Sequence, residues 1–313
     1  MQLHLAISPC PNDIYIYAGI ILGHVVVREG YTVHTSFHDI ETLNEMAVES
    51  SWDALKLSAA RYTYLQKDLT LLPCGGAMGY GCGPLLVRNN RVSPASLASP
   101  SLPEPVELDT LSQNESPLPL QPLGKVENRL NSNYGKTKLL ENVIQSPGSA
   151  TLKVWVPGKF TTAAGLLKFY NPQALCEFMR FELLYTYLLK HPGETGVIIH
   201  ENRFTWQRDG LELICDLGAY WESQTTCPIP LGVAVVKDKN AFGAWAQAIR
   251  ASLQWSRENE NQVLELCSHY AQETEIAVVQ KHIKTFVNDF SWDIGQKGQE
   301  ALNVLGYHLK GSE

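Results

Sequence analysis

The sequence lacks the excess of basic residues that a nucleic-acid-binding protein uses to hold a phosphate backbone. It has 25 Lys and Arg against 32 Asp and Glu, a formal net charge of -7, so nucleic acid is not an expected partner. It also lacks an uncharged apolar run approaching the roughly 18 residues of a membrane span. No basic leader opens the chain. We therefore expect a cytoplasmic protein that does not contact membranes.

Motifs for metals and cofactors are also missing. The seven cysteines include no CxxC pair, so neither a zinc site nor a redox dithiol is indicated. His34 and His38 are four residues apart but straddle a predicted strand end, and we interpret them as an accidental pair. The glycines of Gly75–Gly83 do not have the dinucleotide-binding spacing, and no Walker loop occurs. We predict no cofactor and no metal, and interpret Cys10 as a structural thiol.

What is present is the alternation of an α/β protein. Hydrophobic residues make up 44% of the 313 residues, enough for a large core or for two lobes. Short apolar strands such as Leu3–Ile7 are each followed by a loop and a helical pattern. Asp13 and Asp39 occupy positions where they can cap the helices that follow two of these strands. The tail from Ala241 to about Leu305 is helical in pattern.

One stretch departs from this alternation. From Asn89 to about Gly148, Ser, Pro, Asn and Gln dominate and apolar periodicity fades. Such a composition predicts an irregular or flexible insertion.

The strand predicted over Trp52–Ser58 contains three candidate ligand-binding residues. Its end presents Lys56 and Ser58 at the sheet edge where open α/β sheets bind ligands. Leu57 between them would pack inward and leave only its backbone N–H to a ligand. The alternative is that Lys56 is a surface lysine and Ser58 a helix cap.

Thr161 and Thr162 form a second candidate binding site. They follow a strand and the Pro157–Gly158 turn, and they open a helix, whose N-terminus attracts anions. Plain N-capping by a threonine is the alternative.

His200 is the candidate catalytic base. It ends the apolar run Val197–Ile199, and a rigid strand that delivers a histidine to a sheet edge suits general-base catalysis. A hydrogen-bonded structural histidine is the alternative.

Taken together, the motifs resemble the 1,4-dihydroxy-6-naphthoate synthase family, and the resemblance covers the chain except the 89–148 stretch. The segments that carry it are Ser8–Asp13, Asp39–Asn44, Lys56–Ser58, Gly75–Leu86, Pro157–Thr162, Ile198–Thr205, Asp216–Gly218, Pro228–Gly232 and Val287–Ser291. Ile14, Thr195 and Val233 depart from the family's usual residues, which affects fine geometry only.

The resemblance implies an α/β, two-lobed fold similar to periplasmic binding proteins, with mixed sheets and a ligand cleft between lobes. Lobe 1 would be 1–88 plus 233–313, and lobe 2 would be 89–232 with the insertion at about 89–148. It also implies a cofactor-independent lyase that cleaves cyclic dehypoxanthine futalosine to 1,4-dihydroxy-6-naphthoate in menaquinone biosynthesis. His200 would be the base, and Lys56, Leu57, Ser58, Thr161 and Thr162 would bind substrate.

Two alternatives stay open. One is a chorismate dehydratase-like lyase of the same fold, although the Ser8–Asp13 and Ile198–Glu201 motifs favour the naphthoate enzyme. The other is a non-catalytic small-anion-binding protein, and turnover with the cyclic substrate would distinguish them.

Overall fold

The computed structural model describes residues 1–49, 51–91, 152–271 and 275–311. These residues form an α/β structure with two mixed sheets, as predicted. The predicted insertion lies outside the described residues from Val92 onward.

Eleven strands are assigned among the described residues. They are β1 (Gln2–Ile7), β2 (Thr32–Phe37), β3 (Ala54–Ser58), β4 (Thr70–Leu71), β5 (Ala77–Gly79), β6 (Leu85–Arg88), β7 (Lys153–Val156), β8 (Leu175–Phe178), β9 (Thr195–Ile198), β10 (Glu212–Asp216) and β11 (Ile229–Val236).

Twelve α-helices accompany these strands within the same residues. They are α1 (Pro11–Ile21), α2 (Ile40–Met46), α3 (Ala59–Leu65), α4 (Thr162–Tyr170), α5 (Phe181–Lys190), α6 (Asn202–Thr205), α7 (Leu217–Thr225), α8 (Phe242–Glu258), α9 (Glu260–Tyr270), α10 (Ile276–Phe286), α11 (Asp289–Trp292) and α12 (Gly295–Lys310). None of the described helices is long and apolar enough to cross a membrane.

The six-stranded sheet has the order β2-β1-β3-β11-β4, with β5 paired to β11. β1 is parallel to both β2 and β3, whereas β11 is antiparallel to β3. Because the carboxyl ends of parallel strands share one edge, the segments that follow Ile7, Phe37 and Ser58 leave the sheet on the same side.

The five-stranded sheet has the order β10-β6-β9-β7-β8. β9 is antiparallel to β6 and parallel to β7. The chain therefore leaves β7 toward Thr161 and β9 toward His200 at the same edge.

The predicted helical tail packs on the six-stranded sheet. Trp245, Ile249 and Leu253 recur at one-turn spacing along α8 and are at most 1% exposed, in a cluster shared with α1. Burial of such side chains contributes roughly 1.5–3 kcal/mol each. This pattern confirms the helical prediction for the α8 part of the tail.

The start of α1 differs from the prediction. Pro11 occupies the first turn, Cys10 is the N-cap residue, and no side chain caps the helix. Proline suits this position because its missing N–H would have no partner there. The helix thus begins before Asp13, whose side chain is free for another contact. The prediction that Asp13 caps α1 is wrong, whereas Asp39 does cap α2 through the backbone N–H groups of Glu41 and Thr42.

Candidate active site

An open cavity lies among the strand ends of both sheets, and its space of about 710 Å³ includes solvent at the mouth. Its lining residues are Ser8, Asn12, Asp13, Ile40, Lys56, Ser58, Ala77, Cys82, Gly83, Pro84, Thr161, Thr162, Ala163, Ile199, His200, Arg203, Leu231, Gly232 and Phe286. Five of the six residues singled out from the sequence are among them, and Leu57 is not.

His200 lies two residues beyond the end of β9 at Ile198, in a strained backbone conformation. Its φ is 55°, in the left-handed region that costs a non-glycine residue of order 1 kcal/mol or more. Such strain is concentrated at functional sites. Here it turns the ring out of the strand direction at the cavity wall.

The surroundings of the His200 ring keep it neutral. Its centroid lies 4.8 Å from that of Phe181 and 6.2 Å from that of His282. Burial lowers the pKa of His200 to about 4, with Lys56 acting in the same direction and Asp13 opposing both. An unprotonated imidazole is the form that can accept a proton.

Cys10 contacts the same ring. Its Sγ lies 3.4 Å from Nδ1 and 3.6 Å from Nε2 of His200. Since the N–H bond and the in-plane lone pair of a neutral imidazole point in diverging directions, a sulfur nearly equidistant from both nitrogens is not in line with either. Burial raises the pKa of the Cys10 thiol well above its usual value, so the neighbour of His200 is a neutral thiol.

Lys56 is buried rather than on the surface. Its ammonium and the Asp13 carboxylate form an ion pair, and each side chain is 3% exposed. Along β3, Leu55 and Leu57 share one hydrophobic cluster, and the period of two directs Lys56 to the opposite face. Leu57 is 0% exposed, which confirms its predicted packing. A ligand contact of its N–H stays a prediction.

Ser58 caps α3 and also joins the two sheets. Its Oγ accepts a hydrogen bond from the Arg61 N–H and donates one, 2.6 Å long, to the carbonyl oxygen of Phe160. The capping interpretation is therefore confirmed. Ser58 nevertheless lies in the cavity wall, where its second lone pair can accept from a ligand.

Thr161 caps a helix, whereas Thr162 links β11 to α3. Thr161 caps α4 by accepting from the Ala164 N–H, 3.2 Å away. Thr162 Oγ1 donates to the carbonyl oxygen of Leu231 and accepts from the Ala60 N–H, at 3.1 and 3.2 Å. Both hydroxyls have protein partners, so the N-terminus of α4 offers a ligand mainly its backbone N–H groups and dipole.

Further contacts tie α2 to elements of the five-stranded sheet. The Glu41 carboxylate accepts from the Phe160 N–H at 3.1 Å, and Arg180 pairs with Asp39 at 3.0 Å. Burial raises the pKa of Glu41 above its usual value. These contacts flank the cavity and hold Phe160 between Glu41 and Ser58.

The glycine-rich loop approaches protein backbone. A Cβ on Gly83 would lie 2.3 Å from the Cα of Gly218 at the start of α7, so both positions require glycine. The carbonyl oxygen of Gly83 accepts from Arg203, which also pairs with Asp216 at 2.7 Å. Arg203 lines the cavity, and its place in the Ile198–Thr205 motif is the sequence signal for it.

Sequence reasoning also missed the roles of Cys10 and Asp13. Both belong to the Ser8–Asp13 motif, which was the available signal. The sequence did not indicate their partners, because Lys56, the partner of Asp13, and His200, the partner of Cys10, lie far along the chain. No cluster of three His, Cys, Asp or Glu residues able to hold a metal occurs in the part of the chain that the structure describes.

A sequence profile described as menaquinone biosynthesis matches residues 3–109 and 137–309. The chain belongs to the menaquinone biosynthesis family. It is 30% identical over 306 residues to a 1,4-dihydroxy-6-naphthoate synthase of Thermus thermophilus, covering 97% of this chain and 92% of the relative. The corresponding enzyme of Streptomyces coelicolor is 29% identical, with 97% and 91% covered.

Solved structures similar to this member of the family define its fold. A crystal structure of a protein from Archaeoglobus fulgidus has a TM-score of 0.76 at 20% identity, with 99% of this chain and 97% of that chain covered. The alkanesulfonate-binding protein of Xanthomonas axonopodis pv. citri has a TM-score of 0.60 at 10% identity, with 99% and 93% covered. The fold is therefore periplasmic-binding-protein-like.

Proposed function

We propose that the protein cleaves cyclic dehypoxanthine futalosine to 1,4-dihydroxy-6-naphthoate as a step of menaquinone biosynthesis. The observation that carries this proposal is the cavity, which gathers His200 and eight further residues of the family motifs with hydroxyl, amide or charged side chains. The names of the two relatives, which match this chain over nearly its full length, support the same activity.

The proposed reaction is a carbon–carbon bond cleavage with aromatisation, the work of a lyase that uses no redox cofactor. It requires a base for an acidic proton beside a carbonyl, a site with little water, and groups that hold a carboxylate. His200 would be the base. Its lowered pKa keeps the ring at neutral pH in the unprotonated form that a base needs, with less proton affinity than an ordinary histidine.

The proposed binding groups come from both sheets. Lys56 would supply positive charge to the anionic substrate, Ser58 and the Leu57 N–H would contribute from β3, and Thr161 and Thr162 would contribute at the start of α4. We further propose the two lobes predicted above, 1–88 with 233–313 and 89–232, as the bodies between which substrate binds. The cytoplasmic location stays a prediction of the sequence.

The test is turnover by the purified protein. Incubation with cyclic dehypoxanthine futalosine is expected to yield 1,4-dihydroxy-6-naphthoate, identified by mass and by the absorbance of the naphthalene ring, without added cofactor. Parallel incubation with chorismate tests the dehydratase alternative. Absence of product alongside tight binding of the cyclic substrate would instead favour the non-catalytic alternative.

A further inference from the structure

Asp13 is a charged residue of the cavity that the proposed function does not use, as is Arg203. Three donors converge on its carboxylate: the Lys56 ammonium, the Ser8 hydroxyl at 2.7 Å and the Asn12 amide at 2.8 Å. The Asn12 amide oxygen in turn faces Nε2 of His282 at 2.9 Å. Asp13 is thus held in one position by residues of its own loop and helix, with His282 behind Asn12.

The position of Lys56 is equally fixed. Gly232 lies on β11, the strand that pairs with β3, and a Cβ on Gly232 would lie 3.0 Å from Cε of Lys56. The absence of a side chain at Gly232 leaves space for the methylene groups of Lys56. The ammonium therefore ends beside Asp13 in the cavity wall.

Stability alone does not account for this pair. Desolvation of two buried charges commonly offsets their attraction, and packed apolar residues of similar size can replace such pairs without loss of stability. This pair also lies in the wall of a cavity that holds the candidate base. Its charges act on whatever occupies the cavity.

Proton transfer to His200 would create two new charges at this place. When a C–H bond of the substrate breaks, its electron pair remains on the substrate as an enolate and the proton binds the imidazole. One negative and one positive charge then arise in a site with little water, where preorganised opposite charges stabilise them strongly. Lys56 has the sign that the enolate needs, and Asp13 has the sign that the imidazolium needs.

We propose, on the basis of the proposed function, that Asp13 is a positioning residue that holds Lys56 for the developing enolate and stabilises His200 in its protonated form. Among the described residues, Cys10 contacts the His200 ring, His282 of α10 lies 6.2 Å from it between ring centroids, and Asp13, Lys56 and Arg203 line the same cavity. Asp13 and Lys56 act on the ring with opposite sign.

The experiment is an NMR titration of ring-labelled histidines, with the His200 signal assigned by its loss in His200→Asn. Asp13→Asn is expected to lower the pKa of His200, Lys56→Met to raise it, and the double variant to give an intermediate value. Asp238→Asn, which removes a carboxylate that caps a turn after β11, is the matched control with no change. The ratio of kcat/KM between wild type and Asp13→Asn should also vary with pH.

An unchanged pKa of His200 in Asp13→Asn, or a loss of kcat/KM that is the same at every pH, would overturn the proposal. If circular dichroism shows that Asp13→Asn does not fold, Ser8→Ala and the double variant replace it. The difference in the pKa of His200 between Lys56→Met and the double variant then gives the effect of Asp13. The titration needs no substrate, so it decides on Asp13 even if the wild type fails to turn over the cyclic futalosine derivative.

Discussion

The sulfur of Cys10 lies 3.4 Å from Nδ1 of His200, across 190 residues of sequence. Because it is nearly as close to Nε2, it packs against the ring without occupying the direction in which either nitrogen binds a proton. Cys10 and His200 should differ sharply in how much turnover depends on them.

Replacement of His200 by Asn is expected to reduce turnover by about 10² or more while substrate still binds. Asparagine keeps a hydrogen-bonding side chain and tolerates the left-handed backbone found here, so the fold should survive. Cys10→Ala is the matched control and should retain most of the activity. Steady-state kinetics with calorimetric binding measures both. Near-normal turnover by His200→Asn would falsify its assignment as the base.

The His200 variant also tests the pH dependence of stability. The pKa of His200 is about 4 in the folded protein against an ordinary value of 6.5, so between these pH values the unfolded chain binds more protons. The free energy of unfolding should therefore fall as pH decreases through this interval, by up to about 3 kcal/mol from His200. The lowered pKa of buried His282 acts in the same direction.

Urea denaturation at several pH values between 7 and 4 measures this effect. His200→Asn should lose less stability on acidification than the wild type does. In the wild type, the acid-side decline of kcat/KM should also lie near pH 4 instead of near 6.5. Equal acid sensitivity of the two proteins would contradict the lowered pKa of His200.

The location of His200 was predictable because it depends on local pattern. An apolar run such as Val197–Ile199 predicts a buried strand, and the residue after it must lie at a sheet edge. Lys56 and Ser58 followed from the same logic along β3, and both line the cavity. The sequence alone predicts the location of a site residue when that location depends on a single strand and its end.

The contacts of Asp13 were not predictable in this way. Its place early in a helix suggested a cap, but the Pro11 start shifts the helix frame, and its partner Lys56 comes from a strand 43 residues away. Pairing of Cys10 with His200 needs both sheets to be assembled. Such long-range contacts are decided by tertiary packing, for which single-sequence patterns carry no signal.

Ser58→Ala and Thr161→Ala test whether the caps at the cavity wall also bind substrate. Loss of each cap should lower the free energy of unfolding by about 1 kcal/mol, since both hydroxyls accept from helix N–H groups. Substrate affinity should fall by about 1–3 kcal/mol in each if a buried hydrogen bond is lost. Asp238→Ala, which removes the cap of a turn after β11 and does not line the cavity, controls for the effect of cap loss alone. Unchanged affinity in both variants would contradict the binding assignment.

Replacement of residues 92–145 by a short link should preserve the site, for a reason found in the strand register. Gly196 of β9 pairs with Val87 on one side and with Trp155 on the other. Adjacent strands lie about 4.8 Å apart, so Val87 and Trp155 are about 10 Å apart across β9. β6 and β7 are antiparallel, so β6 ends at the edge where β7 begins. A link of about eight Gly and Ser residues, with a mean span near 16 Å, can connect them.

Two nested deletions make this test sharp. The first removes only 110–136, which the family profile does not match, and the second replaces the whole of Val92–Gln145. Both proteins should fold and keep the kcat/KM of the wild type, because Thr161 and His200 are positioned by β7 and β9, which the deletions leave intact. A protein that folds after the small deletion but loses activity after the large one would place catalytic or binding groups within 92–109 or 137–145. Loss of activity after both, with the fold retained, would instead assign that role to the stretch that distinguishes this chain from the family profile.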